Sequence, residues 1–168
     1  MLRSVSAAAA LPSLALALVM LGGCKAPPPQ PPAPDAVLAG STFVSTRSLT
    51  VPAGATEVIL QDGGVLLESG IQPDYPYCRF RPAGATTAAR TAVPPAVYTV
   101  STLEYDQRGA RRGSETRPVV WFVLQGGAQN AGGRMGCAVP FAGPDRLYLT
   151  PAEVQGAVGG YFNVNAAR

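Results

Sequence analysis

The sequence predicts an all-β domain: a small antiparallel sandwich or barrel of about 7–9 short strands, with one short helix near the C-terminus. Three observations carry this. Apolar and polar residues alternate with a two-residue period in parts of the chain from Ser41 onward, turn residues separate the apolar runs, and only Thr150 opens a helix start signal.

The stretch from Ser41 to Pro52 is rich in β-branched residues and sets Phe43, Ser45 and Arg47 on one side and Val44 and Thr46 on the other, as a half-buried strand requires. Residues Ala55 to Gln61 and Val65 to Ser69 flank Asp62-Gly63-Gly64. Asp-Gly accepts the positive φ angles of a tight hairpin turn at low cost, so the two runs read as a hairpin. Tyr77 to Pro82 is a short strand around Cys78, and Ala96 to Tyr105 a stronger one. Val119 to Gln125 is almost wholly apolar, the mark of a strand buried on both faces or central in a sheet. The polar residues between these two, Asp106 to Pro118, read as a hairpin loop. Cys137 to Phe141 and Arg146 to Thr150 are two further short strands. Thr150-Pro151-Ala152-Glu153 supplies a cap, a proline at the first helical position and a glutamate three after the cap, and Gly159-Gly160 stops the helix after about two turns. Tyr161 to Val164 returns as a terminal strand. A faint echo runs through the domain: Val44-Ser45-Thr46, then VILQDGG, then Cys78; and Val100-Ser101-Thr102, then FVLQGG, then Cys137. It reads either as two related halves or as chance convergence of short β segments.

The N-terminus has a different character. Arg3 precedes a nearly unbroken apolar stretch that ends at Leu21. A membrane-spanning helix needs about 20 apolar residues; this run is shorter and contains Pro12, so it reads as an export signal. Leu21-Gly22-Gly23-Cys24 resembles the lipobox of bacterial lipoproteins. That resemblance, which covers only the first two dozen residues, implies a signal peptide over 1–23, cleavage before Cys24, and acylation of its thiol and new amine. The competing reading is an ordinary signal with an incidental cysteine. Several acyl chains anchor stably where one does not, at about 0.8 kcal/mol per buried methylene. Lys25 follows the cysteine where an aspartate would retain a lipoprotein at the inner membrane, so the resemblance implies the outer membrane.

Lys25 to Asp35 holds six prolines, which favour polyproline II over helix or sheet. At about 3.1 Å per residue this tether, taken as 24–40, holds the domain roughly 30 Å from the membrane. A proline-rich recognition motif is the alternative. Beyond it, residues 41–168 suffice for one ordinary domain with a core.

Cys78 and Cys137 remain after the anchor. In an exported chain an even pair suggests a disulfide. The rival, a metal pair, lacks support from any histidine or second cysteine pair. The chain has no histidine, and its only lysine is Lys25. Histidine bases, histidine metal ligands, the usual serine and cysteine triads, Schiff-base chemistry and the serine–lysine dyad are therefore excluded from the domain. No glycine pair is followed by the lysine and serine of a phosphate loop. The sequence thus gives no cofactor or metal site. Carboxylates are what is left for acid–base work, with Asp62, Glu68, Asp74 and Glu104 as candidates. Each fits a turn or an outward strand position better than a pocket.

Two surfaces stand out as binding candidates. Tyr75 and Tyr77 flank Pro76 beside Cys78, and tyrosines bring large amphipathic area at small entropic cost; the alternative is that they pack over the disulfide and the sheet edge. Arg108, Arg111 and Arg112, with Arg117, make the densest basic patch; it either meets an anionic envelope polymer such as a phosphate-bearing glycolipid or is a solvated loop. A net charge of +3, spread along the chain, argues weakly for any polyanion, and export removes nucleic acid from consideration. The expected function is that of a non-catalytic, membrane-anchored envelope lipoprotein whose β domain binds a partner or supports envelope structure. A periplasmic inhibitor or chaperone-like module, and a carboxylate-dependent hydrolase, are the alternatives.

Overall fold

The computed structural model describes residues 35–72, 74–112, 115–127, 130–139 and 148–168, with only the backbone path for 107–112 and 115–117. Among these residues the chain forms ten strands and one α-helix. The strands are β1 (Thr42–Ser45), β2 (Leu49–Val51), β3 (Val58–Gln61), β4 (Gly64–Leu66), β5 (Tyr77–Pro82), β6 (Thr91–Val93), β7 (Val97–Arg112), β8 (Glu115–Gly126), β9 (Gly133–Ala138) and β10 (Phe162–Asn165). The helix, α1, spans Pro151–Val158. Eight strands form one antiparallel sheet in the order β10-β1-β7-β8-β9-β5-β3-β4, which curls into a half-barrel; β2 and β6 pair separately. The all-β expectation with one short C-terminal helix is met in this curled-sheet form.

Register explains the core. Leu60, Cys78, Cys137 and Val120 stand opposite one another across β3, β5, β9 and β8, and Val58, Phe80, Met135, Phe122 and Leu103 form the next row. All of these face inward, where α1 packs against β10, β5 and β3 across the open side of the sheet. Leu49, Val51 and Val93 of the small sheet are buried in the same core. Since successive strand residues point to opposite faces, the residues between these rows form an outer face.

The local signals act as the sequence predicts. Asp62 and Gly63 take φ of 50° and 66° between β3 and β4, the pair of positive angles that a two-residue hairpin turn of this twist needs. The hairpin tip seats on the end of α1: Gly63 N donates to Ala157 O at 3.1 Å, and a side chain on Gly160 would strike Gly63 O. Thr150 caps α1, its hydroxyl accepting from Glu153 N at 3.3 Å while the Glu153 carboxylate accepts from Thr150 N at 2.9 Å. Gln155 then ties the helix to β10, donating to Phe162 O at 2.7 Å and accepting from Val164 N at 2.8 Å.

Several expectations change. The stretch Ser41–Pro52 holds two strands in different sheets, not one. The polar stretch Asp106–Pro118 is not simply a loop: β7 continues to Arg112 and β8 begins at Glu115. β1 pairs with β7 only at Val97–Thr99 and β9 with β8 only from Val120 onward, so the far ends of β7 and β8 leave the sheet as a two-stranded ribbon. Backbone pairing holds the ribbon whatever its side chains are, so a polar sequence that reads as loop can still form it. β6, a strand of three residues, gives too short a pattern to read. β9 lies in the glycine-rich Gly133–Ala138, ahead of the expected Cys137–Phe141. Tyr148–Thr150 form no strand but lead into α1; Pro140–Phe141 and Arg146–Leu147 lie outside the described residues. The packed chain begins before Ser41: Ala36 and Val37 are buried, and Val37 N donates to Leu149 O at 2.8 Å. The sequence echo maps to β1, β3, β5 and to β7, β8, β9. The second set are consecutive neighbours, whereas β1 stands apart from β5 and β3 in the sheet, so the two sets do not repeat one arrangement.

Candidate functional site

Cys78 and Cys137 are direct cross-strand partners on β5 and β9, bonded as a disulfide with Cα atoms 4.1 Å apart, and both are buried in the core. Cys24 and most of the tether lie outside the described residues.

The two candidate tyrosines part company. Tyr75 is 58% exposed, whereas Tyr77 is 5% exposed and packs with Ile59, Ile71, Val119 and Ala138 in a second small core on the outer face. Tyr77 is therefore not part of an open contact surface. The reason is a clamp. Buried Gln61 donates through Nε2 to Gln72 O at 2.8 Å and Tyr75 O at 3.1 Å, and its Oε1 accepts from Gln72 N at 2.8 Å. These bonds pull the loop before β5 back over the sheet and leave the Tyr75 ring outside. Arg108, Arg111 and Arg112 lie on β7 in the ribbon, where Arg111 opposes Thr116, Arg112 opposes Glu115 and Ala110 opposes Arg117.

The outer face holds a cluster that the sequence analysis did not assemble. One register row runs Leu66, Ile59, Arg79, Gly136, Trp121, Glu104 across β4, β3, β5, β9, β8 and β7. The adjacent row runs Arg81, Arg134, Val123, Thr102. Gly136 is the enabling residue: a Cβ there would lie 2.6 Å from the Trp121 ring, so its absence lets the indole settle on β9. The Arg134 guanidinium then sits 5.1 Å and that of Arg81 5.9 Å from the indole ring centroid, within cation–π range. Arg79 sits 5.8 Å from the Tyr77 ring.

Carboxylates frame these cations. Glu57 accepts from Arg79 and from Arg81, both at 2.8 Å, and Glu68 accepts from Arg79 at 2.7 Å. Glu104 pairs with Arg134, whose own Nε is shielded from solvent without a hydrogen-bond partner. The bond from Arg79 holds the Glu68 carboxyl below the usual carboxylate range. Glu68 and Glu104 thus answer to different arginines, Asp62 serves the hairpin turn and Asp74 is exposed. Among the described residues no three His, Cys, Asp or Glu side chains gather into a metal-binding group.

The open part of this face presents a half-covered indole with two half-exposed guanidiniums against it. The signal for it was present in Tyr77 to Pro82, where Arg79 and Arg81 alternate with buried Cys78 and Phe80, but its partners come from β8 and β9, far along the chain. Comparison with protein-family models, with curated proteins and with solved structures gives no match.

Proposed function

We propose that this chain is a non-catalytic envelope lipoprotein, held at the outer membrane by acylated Cys24, whose β domain binds a partner protein through the outer face centred on Trp121. The anchor rests on Leu21-Gly22-Gly23-Cys24 and the proline-rich tether behind it. The binding reading rests on one observation: two partly exposed guanidiniums, Arg134 at 5.1 Å and Arg81 at 5.9 Å, lie against the Trp121 ring on the outer face. Tryptophan and arginine dominate binding energy at protein interfaces. A guanidinium over an indole gives a partner's carboxylate or carbonyl a fixed donor and an apolar surface together.

The anchor predicts that the wild-type chain partitions into a detergent phase and that Cys24→Ser is released or keeps its signal. Recovery of Cys24→Ser in the same membrane pool with its signal removed would refute the anchor. For the face, a photo-crosslinker at Val123 in intact cells is expected to give one discrete adduct that an Arg81→Gln, Arg134→Gln variant loses. Both arginines are partly exposed, with side chains 47% and 41% accessible, so their ion pairs contribute at most about 1 kcal/mol each and the variant should stay folded. An unchanged adduct in that variant sinks the reading. An anionic envelope polymer is the second reading, favoured by the position of Arg108, Arg111 and Arg112 on the ribbon. It requires instead that replacing those three by serine weakens retention on envelope fractions, most strongly at low salt.

A further inference from the structure

We infer that the cleft beside β6 is a separate binding site, in which an extended peptide adds along the free edge of β6 and presents an uncharged, carbonyl-bearing group to Tyr98. This does not rest on the Trp121 reading, since Tyr98 belongs to the inner core and not to the outer face.

The cleft has a volume of about 230 Å³ and is bounded by β6 with Pro94, by Pro82–Ala83 at the end of β5, by Ala131–Gly132 and by Tyr98. It falls below the roughly 300–1,000 Å³ of a site for a whole drug-sized ligand. It therefore takes a part of something larger. Among the described residues no charged side chain lines it. A charged group placed there would lose its hydration without gaining a counter-charge, which selects for an uncharged occupant.

Tyr98 supplies the specific feature. The residue is 2% exposed and no described residue hydrogen-bonds its hydroxyl, but that oxygen is not among the solvent-shielded unpartnered atoms, so it keeps a small opening to solvent. Water can satisfy it there, and an incoming carbonyl would replace that water. Burial pushes its pKa up, so it stays a neutral donor at physiological pH. Its position is fixed from all sides. Phe80 packs edge-on at 5.6 Å and Phe162 at 6.3 Å between ring centroids. Gly127 takes φ of 81° and a side chain there would strike the Tyr98 ring. The turn carrying this glycine is closed by Gly132 N donating to Gly126 O at 2.8 Å, and the cleft wall by Ala83 N donating to Gly132 O at 3.2 Å. The donor is thus preorganised, and a carbonyl oxygen is the acceptor that peptides carry at every residue.

The strand edge identifies the source of that carbonyl. β2 pairs with β6 through Leu49–Val93, Thr50–Ala92 and Val51–Thr91. Among the described residues no strand pairs with the other edge of β6, and Thr91–Val93 make no backbone bond outside the β2 pairing. A free edge beside a small uncharged pocket is the arrangement used in strand-addition recognition, where main-chain bonds give affinity and the pocket selects a side chain. A free small amide shares the acceptor chemistry but cannot use the edge.

The test uses the full chain in detergent, isotope-labelled and observed by amide NMR, with three probes: the capped peptide acetyl-Thr-Val-Ala-Val-Thr-amide, its analogue with aspartate at the centre, and N-methylacetamide. The neutral peptide is expected to shift the amides of Thr91–Val93 and slow their hydrogen exchange at millimolar concentration. The aspartate analogue should bind at least about tenfold more weakly, and N-methylacetamide should shift Tyr98 without protecting β6. Tyr98→Phe removes only an unpartnered hydroxyl, so it should fold normally and weaken the neutral peptide about fivefold; Ala131→Trp should fill the cleft and abolish binding. Equal binding of the aspartate peptide, protection of β6 by N-methylacetamide alone, or no response of β6 to the neutral peptide would each overturn the assignment.

Discussion

Replacing Cys78 and Cys137 together by alanine is expected to lower the unfolding free energy by about 4 kcal/mol in the chain-entropy model for a bridge spanning this many residues. The two cysteines are 59 residues apart in sequence, and the segment between them contributes β6, β7 and β8 as well as the rest of β5. Without the bond the unfolded chain gains the freedom of that whole loop, while the folded chain keeps the β5–β9 pairing that brought the sulfurs together. Guanidinium unfolding of the oxidised protein and of the double variant measures the difference. The slope of free energy against denaturant should rise in the variant, because its unfolded state exposes more surface. Alanine is the right replacement: at 1% exposure for both positions, serine would add the desolvation cost of two buried hydroxyls and confuse the comparison. A loss under about 1 kcal/mol would mean that the bridge holds nothing the sheet does not already hold.

That bond was legible because an even cysteine pair, in a chain expected to be exported, suggests it without knowledge of the fold. The same holds for elements whose signals are local. Asp62-Gly63 encodes its turn in two residues, and Thr150 to Glu153 encodes a complete helix start in four. Val119 to Gln125 reads as a strand buried on both faces or central in a sheet, and β8 is an interior strand that carries buried Val120, Phe122 and Leu124 toward the core and Val119 toward the smaller outer cluster, while Trp121 and Val123 are only partly covered. What stayed hidden was anything fixed by register between distant strands. Trp121, Gly136 and Arg79 meet in one row across β8, β9 and β5, and nothing in the residues around each one names the others. Tyr77, left open in the sequence between a contact surface and packing over the sheet, is decided in the same way. Its neighbour Tyr75 is open, and only the long-range bonds of Gln61 to Gln72 and Tyr75 decide that one tyrosine is covered and the next is not. The ribbon was missed for a different reason: the polar stretch from Asp106 to Pro118 carries no apolar alternation, and periodicity is the signal by which a strand is read.

Phe162→Ala should cost about 3–5 kcal/mol, the range for truncating a buried aromatic, which is a large part of the roughly 5–15 kcal/mol that holds a typical domain together. Phe162 is fully buried, with its ring centroid 5.3 Å from Phe80, 6.3 Å from Phe43 and 6.3 Å from Tyr98. It is the point where the last strand reaches the middle of the core. β10 is an edge strand of the sheet, paired among the described residues with β1 alone, and Gln155 ties it to α1 through Phe162 O and Val164 N. With the ring gone, the cavity opens beneath both elements that close the curled sheet. Their contacts should therefore weaken together. The predicted signature is a drop in global stability by denaturant unfolding accompanied by faster amide exchange in β10 and α1 than in β8 and β9. Phe162→Leu keeps much of the volume and should cost markedly less, while exposed Asn163→Ala, one residue away, should stay within about 0.5 kcal/mol of wild type. If Phe162→Ala and Asn163→Ala behaved alike, β10 would be an ornament on the sheet's edge, and the helix alone would have to close the core.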